Sequence, residues 1–238
     1  PGAVGSVVAT GGPAINIATA GVKVALRNLV LVPLPGAGGT NGITMPAGDR
    51  LTVEESLIAN MPDSGIVVYG NAVLRVAGST IRDNGSSGVY VENGPRATIV
   101  RSSISGHPTY GFGATGSVAS TTRADIADSL LEGNFSNAVA FSAVDALSQL
   151  VGGTFGGGAQ STAGAEAAFA VADSLISSNQ VGIATFGTGS KVWASGNRVS
   201  ANGTGFQSSS GLFESAGNNA VRNNTTDKLG TITAVAME

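Results

Sequence analysis

Apolar residues in this chain alternate with polar ones over short runs, as in "LTVEESLIAN" (51–60) and "VLRVAGSTIRDN" (73–84). That is the period-two signature of a strand with one buried face. The pattern also returns at longer range. A motif of the type x-V-x-x-S-x-I ends on an apolar anchor at Leu31, Ile58, Ile81, Ile104, Leu131, Phe155, Ile176, Val199 and Val221, 21 to 27 residues apart, with a weaker copy at Val8. Five residues earlier stand Leu26, Val53, Val76, Ile99, Ile126, Leu150, Val171, Ala194 and Ala216. Seven earlier the column is again mostly apolar, from Val24 and Leu51 to Phe169 and Val192, with Ser148 and Glu214 as exceptions. Between these columns lie variable residues such as Thr52, Arg75, Thr98, Asp125 and Trp193, which predicts one side buried and one in solvent. About eight residues after most anchors a second short strand follows: "GIVV", "GVYV", "GFGA", "AVAF", "GIAT", "GFQS".

A strand-only unit of this size cannot bury its apolar side alone. Stacking successive copies, each strand paired with its equivalent in the next, closes one continuous core. At ~4.8 Å per parallel step, about nine intervals predict a rod roughly 43 Å long. Two polar columns fit such stacking. Ser56, Ser79, Ser102, Ser129 and Ser174, then Asn197 and Asn219, stand two residues before their anchors. Asn84, Asn134, Asn179, Asn202 and Asn224 stand three after, with Asn60 one place early. A file of hydroxyls or amides can satisfy its own hydrogen bonds, and Asn tolerates the left-handed conformation of a sharp corner.

Repeats such as "LTVEESLIANMPDSGIVV" and "VWASGNRVSANGTGFQ" resemble those of right-handed parallel β-helix proteins, in particular bacterial repeat proteins of the pectate-lyase-like superfamily. The resemblance covers residues 14 to 224. It implies an all-β fold, a right-handed parallel β-helix (solenoid) of about nine to ten coils, in a single domain over 1–238. Residues 224–238 are expected to close the last coil as a strand or cap. The strict six-residue beat of left-handed solenoids is missing.

Composition narrows the function classes. Charged residues make up 11% of the 238-residue chain and the net charge is −3, with no basic block, which argues against nucleic acid. No apolar window is long enough for a membrane helix, and the absence of Cys removes thiol and disulfide chemistry. The first 22 residues carry no charge and no amphipathic helix. An N-terminal part of the natural protein is therefore expected to be missing, or the uncapped coils to self-associate end to end.

Enzymes of the resembled superfamily work with clustered carboxylates on one outer face, and lyases add calcium and an Arg. The column three residues before the anchors holds Arg101 and Asp128 one coil apart, and Asp125 can join from the adjacent face. These three are the candidate acid–base or cation site; an exposed ion pair between coils is the plainer reading. On the count above, Asp173 lies two coils beyond Asp128, too far to share a proton. His107, the single histidine, stands beside Pro108 and, with Tyr110, is a candidate ligand-contacting corner. A merely solvated turn is the plainer reading there. A single His and no Cys leave no transition-metal site, and no cofactor is expected. "GFGATG" (111–116) matches a dinucleotide fingerprint formally but falls in strand register with no helix after it. Tyr69, Tyr90, Tyr110 and Trp193 occupy different offsets from their anchors and predict no single aromatic stripe.

These observations favour a non-enzymatic solenoid: a structural, adhesive or weak carbohydrate-binding module, extracytoplasmic or secreted, with polysaccharide or cell-surface glycan as its partner. The alternative is a degenerate polysaccharide lyase or glycoside hydrolase using Arg101, Asp125 and Asp128. A third reading is an assembly segment of a longer surface protein.

Overall fold

The computed structural model describes residues 4–117, 120, 122–134, 147–149, 157–160, 167–187 and 190–236. Among them there is no helix; strands form three sheets that run the length of a parallel solenoid of about eight turns. The coils wind right-handed, the hand that parallel strand connections take. The first sheet starts with Gly5–Ala9, the second with Ile15–Asn16 and the third with Lys23–Arg27. The chain then adds strands in the order first, second, third, except that two second-sheet strands fall between Leu130–Glu132 and Ala167–Ala172.

Register follows the repeat. Ile58 faces Ile81, which faces Ile104, which faces Leu131 in the first sheet. Val53, Val76, Ile99, Ile126 and Val171 are likewise stacked in the third. Anchors from Leu31 to Val199 are buried wherever the structure describes them. Each such aliphatic side chain contributes roughly 1.5–3 kcal/mol by leaving water. Aromatic rings pair inside the core, Phe112 stacked on Phe169 at 5.9 Å and Phe206 tilted against Phe213 at 4.8 Å.

Three details of the expected register are corrected. Val7, not Val8, pairs with Leu31. In strand Leu212–Ala216 Phe213 pairs with Val192 and Ser215 with Ala194. The apparent charged exception Glu214 therefore lies beside Trp193 and that column stays apolar through Phe213, while buried Ser215 follows Ala194 in the other. Most consequentially, Leu131 pairs directly with Ile176 and Ala124 with Phe169. No coil intervenes where Phe155 was counted; Phe155 and Leu150 lie outside the described residues. The same span instead supplies the second sheet with Leu147–Gln149, antiparallel to Tyr110–Ser117, and Gly157–Gln160, parallel to Val181–Phe186. Ser148 faces Gly116 in that antiparallel pair. The tail beyond residue 224 holds two strands. Thr226–Leu229 and Thr233–Val235 continue the second and third sheets in parallel register.

Two sharp corners make the turns short. Between the third and first sheets one residue takes a left-handed conformation in successive coils: Asn28, Glu55, Gly78, Arg101, Asp128, Asp173, Gly196. Between the first and second sheets Asn60, Asp83, Gly106, Gly133, Ser178, Ala201 and Asn223 do the same. A small polar side chain, buried or nearly so, follows almost every one of them. Where the chain enters the second sheet, coils approach too closely for any side chain. A Cβ on Gly88 would sit 2.5 Å from both the Gly111 carbonyl and the Ile104 side chain.

Candidate functional site

The two polar files behind the corners account for most of the buried polar groups. In the first, each Ser Oγ accepts the N–H of its equivalent one coil earlier: Ser79 N–H to Ser102 (3.3 Å), Ser102 N–H to Ser129 (3.3 Å) and Ser129 N–H to Ser174 (3.2 Å). Each hydroxyl then donates to a carbonyl two residues back in its own chain, as Ser102 does to Val100 (2.9 Å). The hydroxyls therefore bond to backbone rather than to one another. In the second file Asn134, Asn202 and Asn224 each accept the N–H of the previous coil and donate the amide to that coil's anchor carbonyl. Asn84 makes only the accepting bond and Asn179 only the donating one. Asn202 accepts from Asn179 N–H (3.0 Å) and donates to Ile176 (3.1 Å).

His107 is a member of this second file. Its ring is fully buried. Nδ1 accepts the Asn84 N–H (3.3 Å), Nε2 lies 3.2 Å from the Ile81 carbonyl, and the His107 N–H donates to Asn134 Oδ1 (3.3 Å). The neutral ring with its proton on Nε2 thus copies an Asn side chain, Nδ1 standing for Oδ1 and Nε2–H for the amide. Burial holds its pKa down at about 4, against the upward pull of the Ile81 carbonyl and the Asp83 carboxylate. A solvated turn and a ligand-contacting corner both need an exposed ring edge, which this position lacks. The signal was available: His107 stands three residues after anchor Ile104, the Asn column itself.

The acid–base candidates do not assemble. Arg101 and Asp128 occupy successive left-handed corners, the Arg101 N–H bonded to Ala127 and the Asp128 N–H to Ala172 (3.3 Å). Both side chains are exposed, with no ion pair between them. Asp173 follows Asp128 on the very next coil, one step nearer than the count through Phe155 implied. Asp125 projects from the outer face of the third sheet, between Thr98 and Ala170. Among the described residues no three Asp, Glu, His or Cys groups gather to hold a metal ion.

Two grooves cross the outer faces. On the third sheet, Ala168 and Ala170 form a floor between Arg123 and Asp125 on one coil and Lys191 and Trp193 on another, enclosing about 250 Å³ with Arg96, Leu212 and Glu214 at the rim. On the second sheet a groove of about 280 Å³ is lined by Tyr69, Tyr90 and Tyr110 together with Asn41, Asp63, Ser64, Val67, Ser86 and Ser87. Here the structure brings together side chains that their offsets kept apart. Glu92 pairs with Tyr69, Tyr90 with Gly113 and Ser87 with Tyr110. Each successive tyrosine therefore starts two or three residues earlier along its strand, and the three form a diagonal. Tyr90 and Tyr110 stack at 6.2 Å with ring planes 12° apart. Gly113 makes the space, since a Cβ there would lie 2.7 Å from Tyr110 and 2.9 Å from Tyr90. Tyr69 has its phenol pKa raised, first by partial burial and then by the Glu92 and Asp63 charges.

A family profile described as a right handed beta helix region matches residues 36–199. Among solved structures the chain is similar to one titled "Crystal structure of pectate lyase Pel9A", at 13% identity and a TM-score of 0.47, covering 98% of this chain and 70% of that one. No curated protein matches the sequence.

Proposed function

Since the chain belongs to the right-handed β-helix family, we propose that it acts as a non-enzymatic solenoid: a structural or adhesive module with a weak glycan-binding face. One contrast carries the reading. The acid–base candidates Arg101, Asp125 and Asp128 stay dispersed over a corner and a sheet face, whereas three tyrosines and several hydroxyl or amide groups converge on one groove. Binding sites for small ligands commonly join apolar or aromatic walls to a few orienting polar groups. Turnover of a glycosidic bond needs in addition a positioned acid–base pair. Glycan-array binding paired with product analysis on the same polysaccharides tests the reading; bond cleavage at any catalytic rate overturns it.

The degenerate lyase or hydrolase reading has one observation in its favour. Arg96, Arg123 and Lys191 surround Asp125 and Glu214 in the groove of the third sheet, so cations and carboxylates do meet there. Under that reading Asp125→Asn abolishes cleavage. Under the preferred one there is no cleavage to abolish.

A further inference from the structure

We infer that the tyrosine groove of the second sheet is a subsite for an uncharged saccharide, a neutral pyranose chain rather than a uronate or sulfated one. This rests on the glycan-binding reading above and adds where the ligand sits and what charge it bears.

A pyranose ring has a C–H-rich face and a rim of hydroxyls, so it needs a flat apolar platform edged with acceptors and donors. Half-buried Tyr90 supplies such a platform, backed by the nearly parallel ring of Tyr110, itself only 9% exposed, at 6.2 Å with a glycine cleared beside the two. Tyr69 extends it onto a third coil and is 38% exposed, so its ring and hydroxyl are open to a ligand. Three successive coils span ~10 Å along the axis, enough for a short run of sugar units. At the edge, exposed Asp63 presents a carboxylate, which accepts from vicinal hydroxyls, and half-buried Ser86 and Asn41 add further polar groups.

Charge decides the ligand class. Among the described residues no Lys or Arg lines this groove, and Asp63 is its one carboxylic acid. The Glu92 and Asp63 charges both act on the Tyr69 phenol, so the local field is negative. An anionic sugar entering here meets like charge and finds no guanidinium to pair with. The cationic groove of the third sheet has the opposite character and serves as an internal control.

The test titrates the intact chain with cellohexaose and mannohexaose as neutral probes and hexagalacturonate as a charged one, by calorimetry and amide chemical-shift mapping. A neutral probe is expected to bind at least about tenfold more tightly than the charged one, with shifts confined to strands Ile66–Tyr69, Ser87–Glu92 and Tyr110–Ser117. Tyr90→Ala is expected to weaken it about tenfold, and Gly113→Ala, which pushes the rings apart without removing either, by a similar factor. Asp63→Asn narrows the gap between neutral and charged probes, and Trp193→Ala changes nothing. Circular dichroism identifies any variant that fails to fold, and Asp63→Asn leaves the core untouched. If the charged probe binds tighter, or if Trp193→Ala and not Tyr90→Ala abolishes binding, this assignment is wrong while the glycan-binding reading stands. If none of the probes binds, both fall.

Discussion

The serine file and the asparagine file solve one problem in two ways. Both sit directly behind a left-handed corner, where the turning backbone leaves an N–H pointing along the axis. The serine side chain is short, so it takes that proton and returns its own to its own chain. The asparagine is longer and spends both ends on the neighbouring coil. Serine thus makes one bond to the neighbouring coil and one within its own, whereas asparagine makes both to the neighbouring coil. Near the C-terminal end the first file changes chemistry at Asn197 and Asn219, and a second cross-coil bond is added there, with Asn197 donating to Val171 (2.9 Å) and Asn219 to Ala194 (2.7 Å).

The difference can be broken most forcefully at Asn202. It receives both the N–H and the side-chain amide of Asn179 and donates to Ile176. Asn202→Ala strands these groups in the interior and is expected to cost about 4 kcal/mol in urea unfolding. A loss below about 1 kcal/mol would mean that the asparagine file is not what fastens the coils.

His107 is the place where the second file can be switched by acid. In the folded chain its pKa is about 4, against 6.5 for a free imidazole. As pH falls, the unfolded chain takes up the proton first. The stabilisation is therefore complete above pH 6.5 and drains away between 6.5 and 4, by ~3 kcal/mol in all. A second proton on Nδ1 would face the Asn84 N–H, so the ladder bond itself is lost. His107→Asn should flatten the stability profile in that window. An unchanged slope would show that the acid sensitivity resides in the carboxylates.

The serine file should respond more mildly. Ser102→Ala leaves the Ser79 N–H without its acceptor and is expected to cost about 1.5 kcal/mol. Smallest of all is the outer surface. Arg27 pairs with Glu54, which also faces Arg75, but the arginines are exposed. Glu54→Gln is expected to leave the melting temperature unchanged at physiological salt.

The fold was legible because stacking imposes columns, and columns survive in sequence as periodicity. Anchors such as Ile58, Ile81 and Ile104 recur at one spacing and are neighbours in the first sheet. The alignment failed where spacing departs from about 23 residues, since one-residue slips at Val8 and Glu214 exchange the buried and exposed faces. It failed further at Phe155, where an apolar residue at the expected distance was mistaken for another coil. The groove was harder to read. Tyr69, Tyr90 and Tyr110 share no column, because long side chains reach diagonally across strands and a glycine elsewhere clears their path. His107 was missed for the opposite reason: it kept its column but not its residue type.

The direct pairing of Leu131 with Ile176 has a consequence for how such a molecule can change. Residues forty-five apart in the sequence pair with no shift of phase, Leu130 beside Leu175 and Glu132 beside Ser177. Pitch is thus independent of how many residues separate two paired strands in the sequence. The scaffold behaves like a threaded rail on which cassettes can be lengthened, shortened or exchanged at one level while the levels above and below keep their places.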